Sequence, residues 1–82
     1  MYPLTLVRLS RNKYINFELK SGSKCRGFLK KCDLLMNLHI VNMNMEDIDG
    51  QVIFYKECYV RGTSIKTVNV DPSLLHLQSS KQ

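Results

Sequence analysis

From Tyr14 onward the chain alternates with a period of two. Ile15, Phe17 and Leu19 are apolar, while Asn16, Glu18 and Lys20 between them are polar. A strand shows successive side chains to opposite faces, so this pattern buries one face and wets the other; a helix would scatter it. Ser21-Gly22 is a turn signal, and Lys24 to Cys32 alternates again, approximately. Gly27 in the middle of that second strand predicts a sharp bend or a close backbone approach, the device by which one sheet curls into a small barrel. Asp33-Leu34-Leu35-Met36-Asn37 interrupts the alternation before Leu38 to Met45 resumes it, with Met36, Leu38 and Ile40 inward and Asn37, His39 and Val41 outward. Asp49-Gly50 is the strong hairpin dipeptide. Gln51 to Val60 is the fourth strand and Ser64 to Val70 the fifth, stopped by Asp71-Pro72. Pro3 to Ser10, before all of this, reads as a short helix, with Pro3 suited to its first turn. Ser73 to Leu77 could form one helical turn ahead of a polar tail.

These elements predict an all-β fold: a short N-terminal α-helix, then a strongly bent five-stranded antiparallel meander forming a partly open barrel. Residues 1–82 make one domain, with its core at about 3–70 and a short tail at 71–82. A chain this small buries only about 60–70% of its unfolded surface and gains from neighbours. An open barrel keeps two edges, and the last two strands carry Val52, Phe54, Tyr55, Tyr59, Ile65 and Val68, more apolar side chains than a small core absorbs. Edges of that composition are protected or paired with another chain, and repeated side-by-side pairing closes a ring. No apolar run approaches the roughly 20 residues of a membrane helix, and the opening Met1-Tyr2-Pro3 has no leader character, so the expectation is a soluble intracellular protein.

The net charge of +5 is compatible with an anionic partner. Cys25, Cys32 and Cys58 are odd in number and lack Cys-x-x-Cys spacing, which favours buried thiols over disulfides or zinc. His39 and His76 stand alone and read as structural or exposed. Met45-Glu46-Asp47-Ile48-Asp49-Gly50 lacks the first and last carboxylates of a calcium loop. No metal, cofactor or catalytic constellation is expected. The informative stretch is Arg61-Gly62-Thr63-Ser64, a tight polar connection between two strands that carries a cation. Arg61 serves either to bond strand-end carbonyls or to bind a ligand. Asn37 is either a turn residue or, taken with Arg61, a binding residue. Lys30-Lys31 is a solvated strand end that could touch a polyanion.

Glu18-Leu19-Lys20-x-Gly22, Gly27-x-Leu29, Asp33-x-x-Met36-Asn37 and Val60-Arg61-Gly62-x-x-Ile65 together resemble the two-part signature of the Sm and Sm-like (LSm) family. The resemblance spans roughly residues 4–70. Pro3-Leu4, Cys32-Asp33 and Glu57-Cys58-Tyr59 look most like the fourth LSm subunit type, with the D-type Sm core subunits next. The resemblance implies a helix-capped bent barrel, fourth-to-fifth strand pairing with other LSm subunits as neighbours, and a hetero-heptameric ring. Such a ring binds uridine-rich single-stranded RNA in its pore. By position, Leu35 would cover a base where the family often has an aromatic, Asn37 would bond a base edge, and Arg61 would stack or bond alongside. Gly62 would admit the backbone, and Asp33 would buttress the loop. Leu35 has no π face and would grip its nucleotide less tightly than an aromatic.

The function this resemblance implies is an RNA-binding ring subunit of nucleus and cytoplasm, acting in splicing with the U6 particle, in mRNA decay, or in both. The alternatives are a D-type Sm core subunit and a pure assembly module without RNA contacts of its own. A monomeric nucleic-acid-binding barrel ranks last, because it needs an aromatic platform on an open sheet face and the seven aromatics are scattered along the sequence. Neither a membrane nor a small-molecule substrate is expected as partner.

Overall fold

The computed structural model describes Val7 and residues 10–69. The expected N-terminal helix, apart from Val7, and the expected tail beyond Asn69 lie outside those residues. Five antiparallel strands follow one another: β1 (Tyr14–Leu19), β2 (Lys24–Cys32), β3 (Leu38–Glu46), β4 (Val52–Val60) and β5 (Ile65–Asn69). They form one sheet in the order β4-β3-β2-β1-β5. The first four make the expected meander, but β5 does not continue it. A single short 3-10 turn, Gly62–Ser64, swings the chain across to pair β5 with β1, joining Phe17 to Val68. β1 already carries the inward Ile15 and Phe17, so this crossing packs Ile65 and Val68 against the core that β1 lines. β4 and β5 are left as the two edges.

The bend has a local cause. Between Arg26↔Asn44 and Phe28↔Val41 the ladder spends three residues of β3 against two of β2, and Asn42 takes a positive φ of 50°. Such a bulge bends its strand and reverses which parity points inward. Leu38 and Ile40 are buried before it, and Met43 after it. Gly27 lies opposite: a Cβ there would stand 2.3 Å from Ile40 Cγ2 and 3.1 Å from the Met43 Cα. Only a missing side chain lets β3 approach β2 so closely, which is the role its position in mid-strand suggests.

The concave side closes over Val7, Ile15, Phe17, Cys25, Leu29, Leu38, Ile40, Met43 and Val60. Each large aliphatic in that set contributes roughly 1.5–3 kcal/mol by leaving water. β4 behaves differently. Tyr55 and Cys58 pack partly on the core, but Val52, Ile53, Phe54 and Tyr59 are 45–73% exposed on a nine-residue edge strand. The expected surplus of apolar side chains is therefore concentrated on β4, whereas Ile65 and Val68 on β5 are half-buried.

Candidate functional site

The site begins with a carboxylate that shapes a turn. Asp33 Oδ1 accepts hydrogen bonds from the backbone N–H groups of Leu35 and Asn37, each at 2.9 Å. The Asp33 and Asn37 backbones close the same loop at 3.1 Å. The β3–β4 turn repeats this design, with Asp47 Oδ1 accepting from Asp49 and Gln51. In both, the residue three places after the Asp has positive φ: Gly50 at 87° and Met36 at 65°. Glycine makes that conformation at no steric cost; Met36 does not, and it is retained where its side chain packs against the core. The strained copy of the turn is the one that carries Leu35 and Asn37.

Register then brings the second half of the pattern alongside. Leu38 pairs with Val60, so Asn37 and Arg61 leave their strands side by side. Gly62 N–H donates to Asn37 Oδ1 at 2.8 Å, and Asn37 Nδ2 donates to Asp33 Oδ2 at 2.9 Å. These partners fix which end of the amide is oxygen, because a backbone donor needs an acceptor and a carboxylate needs a donor. One N–H and one acceptor lone pair of Asn37 remain for a ligand. Gly62 is indispensable to the join: a Cβ there would fall 2.0 Å from the Leu35 carbonyl oxygen and 3.0 Å from Met36. The β2–β3 and β4–β5 loops thus touch backbone to backbone.

Around this weld the side chains are open. Leu35 is 77% exposed, and Leu34 beside it is nearly as bare. The Arg61 guanidinium makes no hydrogen bond or ion pair among the described residues, and it does not cap the 3-10 turn that follows. Among the described residues, no strand-end carbonyl accepts a hydrogen bond from the Arg61 side chain. Hydrogen bonds from the Asn37 backbone and then its side-chain amide hold the Asp33 carboxyl below its ordinary range; desolvation opposes them, and the Leu35 N–H adds a smaller share. Leu35, Asn37, Arg61, Gly62 and Asp33 are thereby gathered in one place, from loops 25 residues apart in sequence.

His39, which has no second His or Cys at ligand spacing in the sequence, has structural partners in the fold. It sits opposite Tyr59 in the β3–β4 ladder, and their rings stack at 4.4 Å and 14°. Glu57 Oε1 accepts from the Tyr59 hydroxyl at 3.2 Å and lies 2.6 Å from His39 Nε2. Desolvation, and then the Glu57 carboxylate, raise the Tyr59 phenol pKa. A depression of about 310 Å³ runs from this stack to Asn37 and Asp33, with Lys31 on its rim. Glu57-x-Tyr59 was the available signal, legible only once the register with His39 is known. All three cysteines are free, with Cys25 buried and its thiol pushed up to about 11 by desolvation first and Cys58 second. Among the described residues no cluster of His, Cys, Asp and Glu could hold a metal.

A bent five-stranded sheet with two open edges, whose β2–β3 and β4–β5 loops are welded through an Asn, is a barrel of the Sm type. Residues 5–70 match the LSM domain, and the chain belongs to that family. It is 37% identical over 76 residues to the probable U6 snRNA-associated Sm-like protein LSm4 of Caenorhabditis elegans, covering 92% of this chain and 62% of that one. The chain thus spans less than two thirds of the length of this relative. The Sm protein of Pyrococcus abyssii, solved in complex with a uridine heptamer, superposes with a TM-score of 0.77 at 26% identity, over 87% of this chain and 100% of that one. A heptameric archaeal Sm protein superposes with a TM-score of 0.70 at 28% identity, covering 83% and 97%.

Proposed function

We propose that this chain is one subunit of a hetero-heptameric LSm ring, of the fourth-subunit type, that binds uridine-rich single-stranded RNA. The β4 edge of one subunit pairs with the β5 edge of the next, which turns the exposed Val52, Ile53 and Phe54 into interface. The carrying observation is the Asn37 amide, held at both ends by Asp33 and Gly62 yet retaining one donor and one acceptor, beside an exposed Leu35 and an Arg61 side chain unpaired among the described residues. A base edge offering one donor and one acceptor matches that amide, while Arg61 supplies a planar cation for stacking and Leu35 an apolar cover. The relative named for U6 snRNA and the relative solved with a uridine heptamer support the same ligand class. Action with the U6 particle in splicing, in mRNA decay, or in both follows from that reading, with residence in nucleus and cytoplasm.

Arg61→Ala in an assembled ring is the direct test. Arg61 has no partner to orphan among the described residues, so stability should change by no more than about 0.5 kcal/mol. Affinity for a uridine oligomer should fall about tenfold, the share of one stacking contact. Unchanged affinity, measured by anisotropy titration, would leave only the assembly-module reading. A native mass spectrum of the tagged chain with its co-purifying partners should show seven different subunits, one copy each, with RNA.

A further inference from the structure

The two open edges of the sheet do not match each other. On β4, pairing with β3 fixes which side chains stand away from the core. Val52 and Phe54 lie opposite Glu46 and Asn44, then Glu57 and Tyr59 opposite Val41 and His39. The alternate residues Ile53, Tyr55, Cys58 and Val60 take the other side, opposite Met45, Met43, Ile40 and Leu38. The outward row of β4 thus opens with two apolar side chains, 63% and 59% exposed, and closes with the polar group around Glu57. On β5, Val68 pairs with the buried Phe17, which leaves Thr67 and Asn69 outward, opposite Glu18 and Asn16. Both are exposed, and Lys66 between Ile65 and Thr67 is ion-paired with Glu18 at 3.6 Å.

Side chains on the same face of adjacent strands are the unit of sheet stabilisation. If a second copy of this chain laid its β5 along β4, Thr67 and Asn69 would share a face with Val52 and Phe54, polar beside apolar. Charge opposes the second copy too. Each copy carries +5, so a ring of identical chains accumulates like charge. Glu57 meets both His39 and Tyr59 through Oε1, and its Oε2 has no partner among the described residues. A strand laid beside β4 withdraws water from that oxygen, which then needs a donor, and a charged donor serves a carboxylate best. We propose that β4 is a selective edge that prefers a different chain over a second copy of this one. The neighbour it fits carries apolar side chains on the outward face of its β5, beside Val52 and Phe54, and a basic side chain beside Glu57. Rejection of the second copy comes from mismatch as much as from the better match elsewhere. This inference rests on the ring reading above and adds to it the chemistry of one neighbour.

The test uses the full chain, alone and co-expressed with the other LSm subunits of its own cell. Crosslinking with mass spectrometry on the assembled ring identifies the subunit whose β5 lies on β4, and that strand should be apolar at its outward positions. The unaltered chain should bind that subunit at least about tenfold more tightly than it binds itself, the worth of a few cross-strand pairs. Thr67→Val with Asn69→Val leaves β4 and the core untouched, and should tighten self-association about tenfold in sedimentation equilibrium. Glu57→Gln should weaken binding to the identified neighbour about threefold or more and flatten its dependence on salt. Self-association as tight as binding to the neighbour overturns the proposal. So does a neighbouring β5 with polar outward residues, an absence of gain in the double variant, or an unchanged salt dependence in Glu57→Gln. In all of these the ring still forms, so the ring reading survives. If the unaltered chain joins no ring with the other subunits, the ring reading falls and takes this one with it.

Discussion

Asn37 spends half its hydrogen-bonding capacity on its own fold, and that expenditure aims the other half. Its two internal partners are unequal in kind: Asp33 can be titrated, and the Gly62 N–H cannot. The folded Asp33 carboxyl titrates below its unfolded value, so its stabilising share is complete above the unfolded pKa and is lost as pH falls through the folded one. RNA affinity should therefore collapse in acid below the ordinary carboxylate range, and Asp33→Asn should bind more weakly at neutral pH and lose that acid step. A pH titration of uridine-oligomer binding on both rings checks the sign. Gly62→Ala attacks the same weld sterically, since the new methyl would meet the Leu35 carbonyl, a backbone atom that cannot swing aside. It should cost about 1–3 kcal/mol in a urea melt, the usual range for overpacking, and weaken RNA binding along with it. The pairing of Asn37 with Arg61 was legible in the sequence through the family signature; the internal engagement of the amide was not. Nothing in a string of letters says that a residue 25 positions away presents its N–H to this side chain.

β4 is the element whose composition conflicts most with its place as an edge. Nine residues long, it pairs with β3 along one side only, and its exposed residues include Phe54 at 59%. A covering strand would convert those side chains from liability to interface. Phe54→Glu leaves the core untouched and should preserve the fold by circular dichroism while blocking ring assembly in native mass spectrometry. An intact ring from that variant would contradict β4-edge pairing. The alternation announced all five strands to within a residue or two. It could not announce that the inward parity changes at Asn42, because a bulge is an agreement between two strands: three residues of β3 meet two of β2 where Gly27 leaves room. The destination of β5 was hidden for a similar reason. A meander expects pairing with β4, but the short turn at Gly62–Ser64 and the apolar faces of Ile65 and Val68 direct it to β1.

At the scale of the whole molecule, the core is small and one of its members is ionisable. The Cys25 thiol titrates at about 11 in the fold against its ordinary 9.0, so the fold keeps the full contribution of the neutral thiol below pH 9.0 and loses it as pH rises toward about 11. Thermal melts should accordingly fall across that window. Cys25→Ala should flatten the fall, although it removes buried volume and lowers stability at neutral pH. Alkylation followed by mass spectrometry should find Cys25 slower than Cys32, which is half-buried. The same compactness explains why the site lies at a rim: a sheet this small presents one face to its core and the other to water, and its β2–β3 and β4–β5 loops meet at one end. Function is carried by what the sheet does not bury.

By itself the sequence determined the strands, their inward faces as far as the bulge at Asn42, the turns and the family signature, because period, turn residues and short motifs are local properties of the chain. The tertiary structure alone decided which separated residues meet: Gly62 with Asn37, and His39 with Tyr59. Those meetings depend on strand order and register, which are set by the packing of the whole core and by bulges shared between strands. A single residue carries no record of them.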